Sequence, residues 1–556
     1  MNDFSGTAVV LLVILPLAGS VLSLVEKSLP RFRVSRVSAP LCLLGCAGLL
    51  VYLGPFVMGG GAVVYELGGW PEPLGIALHL DGFAWLGSVV ILMVTLPALL
   101  YAAAENTYSP AFYFFFLVIT GAMAGLVLTG DLFNMFVFFE ILSLGSCVLV
   151  AYTGKPRAVY AAFKYLLVGT LGIVFFLAGV LILYRLTGTL SLRDMGDVLP
   201  GFAGSPEGFR VRIAVLCLAA GIGVRAAVMP FHLWLPDAHA SAPHPVSAML
   251  SGAMIKVSFL ALWRIVALFG AGYAADLLVV VGAFTALFGV VRALSQTDVK
   301  RLLAYHSVSQ MGYIVAAFGA GTALARTASF LHILNHALFK SLLFLSVGVA
   351  VDAAGQRNIK LMKGAGRRFP WAAIPFAAAA LSIAGVPPWN GFVSKSLISQ
   401  ALKGHWTYPL IYLTGIGTVA SFIKLSAVFR GGPADRPAPV APGYAPSRGI
   451  YPSLWFLASA CLLLGAAPGA LLPFFAGILG ADAAAAGFPD VYAASSLLAS
   501  VPVIAAGILL YVFVVSKRGE RASAGLRSLS FGMEGELALV PAGFVLFFVV
   551  TAAGLL

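Results

Sequence analysis

Seven ionisable residues are embedded in apolar sequence, and their types define the chemistry open to this chain. Glu140 lies in Phe136-Val-Phe-Phe-Glu140-Ile-Leu, Lys256 in Met254-Ile-Lys256-Val and Lys340 in Phe339-Lys340-Ser, while Arg225 and Lys395 each adjoin a proline-containing interruption. His332, His336 and Lys340 follow one another at i, i+4 and i+8, a spacing that lines side chains up on one face of a helix within about three turns. A charge at mid-bilayer costs roughly 2.5 kcal/mol or more on insertion scales, so each of these residues needs compensation and marks a functional site.

That chemistry is proton transfer. A lysine removed from water loses part of its preference for the charged form, and small changes in nearby charge then load or unload its proton. Histidine passes protons in either direction near neutrality. Glu140 is the natural counter-ion: close to a lysine it holds the pair charged, and separation lets the lysine release its proton. A pocket for an organic solute would show fewer lysines and more polar and aromatic liners. Lys164 and Lys424 also fall in apolar stretches, but lysines near span ends snorkel to the surface. No Cys or acidic third ligand accompanies His332 and His336, so the pair does not read as a zinc site. Cys42, Cys46, Cys147, Cys217 and Cys461 are scattered as small hydrophobes with no C-x-x-C pair. No metal and no cofactor is expected, and any redox chemistry belongs on partners.

The elements positioning these residues must be transmembrane helices. The chain is 60% hydrophobic and 10% charged, with mean hydropathy +0.99, far from the quarter charged that is usual in soluble domains. The +13 net charge does not point to nucleic acid, because the cations occupy short loops between apolar runs. About sixteen runs of some 20 residues are legible, starting near 6, 37, 82, 110, 131, 158, 211, 246, 276, 300, 326, 371, 405, 453, 497 and 537. Every second loop is basic: Lys27, Arg31, Arg33 and Arg36; Lys155 and Arg157; Arg292, Lys300 and Arg301; Arg357 through Arg368; Arg430, Arg436 and Arg448; Lys517 through Arg527. The intervening loops are neutral, mixed or acidic, as at Glu66 with Glu72 and Asp482 with Asp490. Positive charge marks the cytoplasmic side, so both termini are expected outside the cell's inner (plasma) membrane. The N-terminus reads as a retained first span. The stretches 186–210, 429–451 and 517–536 are expected to be loops.

Two interior segments interrupt the apolar pattern, Arg225 through Pro230, Pro236 and His239, and Gly385 through Pro387, Pro388 and Lys395. Proline removes a backbone donor and clashes with the preceding turn, so both spans should be discontinuous. Broken helices at matching places in two half-chains are a mark of internally repeated transporters.

At these residues the sequence resembles the antiporter-like membrane subunits of Mrp-type cation/proton antiporters, membrane-bound hydrogenases and respiratory complex I, and looks most like the Mrp D subunit. The resemblance rests on Gly130 through Ile141, on Pro230 through His239 followed by Lys256, on Asp298 through Tyr313, on His336-Ala-Leu-Phe-Lys340 and on Gly385 through Lys395. It covers roughly residues 60–430. It implies an all-α polytopic membrane protein with a 14-helix core of two inverted five-helix repeats, plus about two extra C-terminal transmembrane helices. The divisions would be 1–109, a first repeat 110–270, a second repeat 271–430, and C-terminal helices 431–556. It also implies that Glu140 pairs with the seventh-helix cation, that Lys256 lies at the centre, that His332 and His336 bridge the halves, and that Lys395 lies at the exit. This chain departs from the family in having Arg225 where a lysine is usual, and His306 where a small polar residue is usual. Arginine holds its proton, so Arg225 pairs with Glu140 as a fixed charge and carries no proton itself.

The reading is a proton-translocating subunit of a multisubunit Mrp-type or redox-driven complex, with Na+/H+ antiport left open and with no redox or hydrolytic site of its own. The alternatives are a mainly structural subunit whose conduction is blunted by Arg225, and an independent solute carrier.

Overall fold

In hydrocarbon every backbone N–H and C=O must find a partner within the protein, and helices satisfy this segment by segment. The computed structural model describes residues 3–28, 33–202, 205, 207–269, 275–430, 444–479 and 488–528, with 535, 538, 539, 541–543 and 545. Among the described residues 12 helices are long and apolar enough to cross a membrane, from Phe4–Val25 to Ala494–Val515. The crossings expected near 211, 300 and 371 are the helices Glu207–Arg225 and Val299–Gly319 and the interrupted pair Pro370–Ala384 and Asn390–Ala401. Charge or interruption sets these apart from plain apolar spans. The span expected near 537, together with Arg31, Arg436 and Asp482, falls outside the described residues apart from a few positions. The architecture is an all-α polytopic membrane protein with broken helices. Among the described residues the one sheet is the hairpin Val63–Glu66 with Ala77–Leu80, in which Val63 pairs with Leu80.

Both breaks form as the prolines require. The first helix ends at Arg225, the chain turns through Pro230, and helix resumes at Leu235–Ser241. Trp234 Nε1 donates to Val224 O at 2.7 Å and ties the two pieces together. The second helix, Pro370–Ala384, closes on Gly385 at φ 76°, a left-handed conformation that suits glycine. Helix resumes at Asn390.

Two expectations about polar stretches are corrected. Residues 186–210 contain the short helix Leu192–Val198, and residues 517–536 contain the amphipathic helix Lys517–Ser528. The second is polar enough to read as a loop, yet it is rich in good helix formers and is anchored at both ends. Arg527 Nη1 donates to Ser295 O at 2.5 Å, and Lys360 Nζ lies 2.7 Å from Glu520 Oε1.

The alternation of basic loops has a geometric counterpart. The helix Gly82–Glu105 separates two ends of the molecule. At the Glu105 end, Arg33 Nη1 donates to Asn106 Oδ1 at 2.7 Å. A cavity of about 840 Å³ there brings Glu105 together with Lys155, Arg157, Lys300 and Arg357. Val299 N donates to Arg357 O at 3.0 Å and Ile359 N to Thr297 O at 2.9 Å, which stitches the basic loops together. At the Gly82 end sit the pairs Glu72–His79 at 2.9 Å and Asp81–Arg264 at 3.1 Å.

Packing is tightest where small residues let helices touch backbone to backbone. A Cβ at Gly312 would stand 2.3 Å from Ala286 N, and one at Gly282 would stand 2.3 Å from Ala316 N. Gly312→Leu should therefore force the helices Ala275–Ser295 and Val299–Gly319 apart, at a cost of about 1–3 kcal/mol or more. The expected result is a lower thermal midpoint of the detergent-solubilised chain by tryptophan fluorescence. Gly48→Leu, at a site with nothing within 4 Å, should leave the midpoint in place. Equal midpoints for the two variants would show that this helix contact carries no weight.

Candidate functional site

A buried ammonium needs acceptors, and in a helical bundle the spare acceptors are carbonyls that irregular backbone has released. Lys256 and Lys395 are held in this way, and Lys340 by a carbonyl within a helix. Just before Lys256 the helix widens into a π-helical turn, Leu250–Met254, and Lys256 Nζ donates to Ser251 O inside that turn. Lys340 Nζ donates to Leu303 O and stands 5.5 Å from the centre of the Phe344 ring. Lys395 Nζ donates to Ile383 O at 2.6 Å, a carbonyl freed by the end of the broken helix, and lies 5.0 Å from the Tyr313 ring centre. Lys256 and Lys340 are fully buried, whereas Lys395 is half-buried against a cavity of about 710 Å³.

The histidines lie between these lysines. The 32-residue helix Ala323–Ala354 carries His332, His336 and Lys340, and Thr322 caps its start by accepting from Ala325 N at 3.1 Å. His332 Nδ1 is 2.9 Å from Ser394 Oγ and His332 Nε2 is 3.1 Å from Gln310 Oε1. Ser394 precedes Lys395 in the chain, so His332 reaches the Lys395 helix through one hydroxyl. The His332 and His336 rings are 6.1 Å apart, centre to centre. His336 is fully buried, neither of its ring nitrogens has a hydrogen-bond partner, and it lies within electrostatic range of Lys256, Lys340 and Lys395. A neutral imidazole placed there can accept a proton from one lysine and donate to another, directly or through water.

Glu140 and Arg225 form a separate pair. Arg225 Nη2 lies 3.6 Å from Glu140 Oε1 and 3.5 Å from Gly169 O. Gly169 makes room for the guanidinium, since a Cβ there would stand 3.1 Å from Arg225 Nη1. Ser146, bonded to the Met254 sulfur at 3.2 Å, and Tyr165, 3.9 Å from the same sulfur, stand on the way to Lys256. Among the described residues no direct hydrogen bond links the Glu140 pair to the lysine row. The arrangement thus carries His332, His336 and Lys340 on one helix, links His332 to the Lys395 helix through Ser394, and sets Glu140 and Arg225 apart as an ion pair.

Several residues that spacing does not single out belong to this neighbourhood. His239 is fully buried, neither of its ring nitrogens has a partner, and it stacks on Phe344 at 4.8 Å within range of Lys256, Lys300 and Lys340. Lys300, by sequence a loop cation beside Arg292 and Arg301, is buried instead, and its ammonium donates to Ala242 O at 2.5 Å. His306 is buried against Phe422, with both nitrogens unpartnered. Lys164 pairs with Asp237 at 2.8 Å, and Arg301 binds the same carboxylate. Lys424 caps a neighbouring helix end, donating to Leu294 O and Gln296 O at 2.8 and 2.7 Å.

Known proteins share this arrangement of helices. Residues 129–424 match the family described as NADH:quinone oxidoreductase/Mrp antiporter, TM. NADH-quinone oxidoreductase subunit N of Desulforudis audaxviator is 36% identical over 452 residues, covering 77% of this chain and 89% of that protein. The Na(+)/H(+) antiporter D subunit of Alkalihalophilus pseudofirmus is 32% identical over 431 residues, covering 74% and 86%. A chain of the Mrp complex from Dietzia sp. superposes with TM-score 0.78 at 26% identity, over 89% of this chain and all of that one. A chain of the membrane-bound sulfane sulfur reductase superposes with TM-score 0.77 at 27% identity, covering 90% and 99%.

Proposed function

Since the chain belongs to the NADH:quinone oxidoreductase/Mrp antiporter membrane family, we propose that it moves protons along the Lys256–His336–His332–Lys395 axis as one subunit of a larger membrane complex. The observation that carries this reading is the set of lysines, two fully buried and one half-buried, whose ammonium groups donate to backbone carbonyls, with unpartnered or hydroxyl-linked histidines on the intervening helix. A structural core has no use for so many desolvated cations, because apolar residues of the same volume would fold at lower cost.

In this reading Lys340 and His336 exchange protons with Lys256, His332 passes them through Ser394, and Lys395 releases them into the cavity beside it. Arg225 and Glu140 act as an electrostatic switch. The Glu140 side chain is 37% exposed on the helix Leu132–Val150, and a bare carboxylate at an outer face of the bundle is costly. A neighbouring membrane subunit packed over this face would relieve that cost, and it is the partner the proposal requires. The residue divisions 1–109, 110–270, 271–430 and 431–556 would then place one broken helix in each of the two repeats. The basic end faces the cytoplasm of the inner (plasma) membrane, with the termini outside. Exchange of Na+ for protons is a second mode of the same axis.

Lys395→Ala provides the test. In the complex reconstituted into vesicles, proton flux read by an internal pH dye should fall to the level of empty vesicles, with the subunits still co-purifying. Flux at the parent level would favour a structural subunit. Transport by the purified chain without partners would favour a solute carrier.

A further inference from the structure

The cavity beside Lys395 is closed by a segment that lies outside the family-matched residues 129–424. One side of the cavity is core: Tyr313, Lys395, Ser399 and Gln400. The other side is Pro489 through Ile504, the turn and first half of the helix Ala494–Val515, which offer Asp490, Ser495, Ser496 and Ser500. This second side is pinned to the break in the Lys395 helix. Tyr492 Oη donates to Gly465 O at 2.6 Å and to Pro388 O at 3.4 Å, and its ring lies 5.6 Å from Phe392. Asp490 Oδ1 accepts from Tyr492 N at 2.9 Å, which orients the carboxylate and the phenol together. Asp490 is also the sole carboxylate among the described residues lining the cavity, where it shares the space with Lys395 and Lys403. Further along, Val503 lines the same cavity and packs beside Gly415 of the neighbouring helix Tyr408–Arg430.

We propose that residues 489–504 are the wall that sets water and cation access to Lys395, with Tyr492 as the positioning residue that clamps this wall to the broken helix. The proposal rests on the proton-path reading and assigns a role to helix outside the family-matched residues. Hydroxyl-bearing side chains on the wall keep the cavity wet, and a wet cavity is what a lysine needs to exchange protons with bulk solvent. A single carboxylate at the mouth favours hydronium and small cations over anions. Without the clamp, the wall would swing relative to the Ile383 carbonyl that holds the ammonium.

The test uses the intact complex in vesicles, with Ser399→Cys as reporter and a membrane-impermeant maleimide as probe, read above the labelling of the parent chain's own cysteines. Ser496→Leu, which fills the cavity from the wall side, should slow labelling and lower proton flux severalfold. Tyr492→Phe keeps the ring but removes both hydroxyl bonds, and it should speed labelling severalfold, which decides the matter if the leucine variant fails to assemble. Unchanged labelling in Tyr492→Phe, or in an assembled Ser496→Leu complex, overturns the wall. Lys395→Ala separates the two levels. If it stops flux while the wall variants change nothing, the proton path stands and this inference falls. If it leaves flux intact, the proton path falls, and labelling still decides who walls the cavity.

Discussion

Lys256→Met should leave a chain that folds, assembles and conducts almost nothing. Methionine matches the length and volume of lysine but has no proton to give. The ammonium of Lys256 has one acceptor, Ser251 O in the π-helical turn, and lies near His336 and Lys340, at the middle of the axis. Removing a positioned proton-transfer group commonly costs two or more orders of magnitude in rate, so flux should fall by roughly a hundredfold. Stability should not fall with it, because the variant no longer buries an ion. The checks are proton flux in vesicles and the thermal midpoint of the purified complex. Wild-type flux in an assembled Lys256→Met complex would remove the centre of the proposed path. A collapsed midpoint with no assembly would mean that Lys256 is structural.

Much of this site is legible without coordinates, for an identifiable reason. In lipid a charge is so costly that its presence in an apolar run is itself information, and Glu140, Lys256 and Lys340 stand out on that ground alone. The prolines at 230, 236, 387 and 388 foretell the two breaks because a ring without an N–H cannot continue a helix. The acceptors stay hidden. Ser251 O and Ile383 O are backbone atoms released by a π-helical turn and a helix end, Leu303 O belongs to the helix Val299–Gly319, and no residue type announces any of them. Lys300 is obscured because arginines at 292 and 301 make it look like one more loop charge. His239 sits in a segment already accounted for by its prolines, and the break between it and His232 leaves no helical spacing to pair them. The helix Lys517–Ser528 is held by Arg527 and Glu520 contacts to distant loops, and such tertiary anchoring has no local signature.

Arg225 stands where the resemblance leads one to expect a lysine, and its geometry sets the second large expectation. One nitrogen, Nη2, lies 3.6 Å from Glu140 Oε1 and 3.5 Å from Gly169 O, while Nε and Nη1 are buried without a hydrogen-bond partner. A guanidinium gains its advantage over an ammonium through its planar fork, and here the fork is largely unused. Lysine would keep one charged donor near Glu140 and bury fewer unsatisfied N–H groups. Arg225→Lys should therefore conduct at least as well as the parent. Arg225→Ala should lose flux on the order of tenfold, because it leaves the Glu140 carboxylate without its cation and erases a coupling of about 1–3 kcal/mol. The pH profile separates a fixed charge from a titrating one. Arginine stays protonated across the accessible range, whereas a lysine at this position introduces a new titration and hence a new pH dependence of flux. The measurement is flux against pH for the parent, Arg225→Lys and Arg225→Ala in the same vesicles. A lysine variant as impaired as the alanine variant would show that the guanidinium is required for its shape, and the Glu140 pair would then be a geometric lock in place of an electrostatic switch.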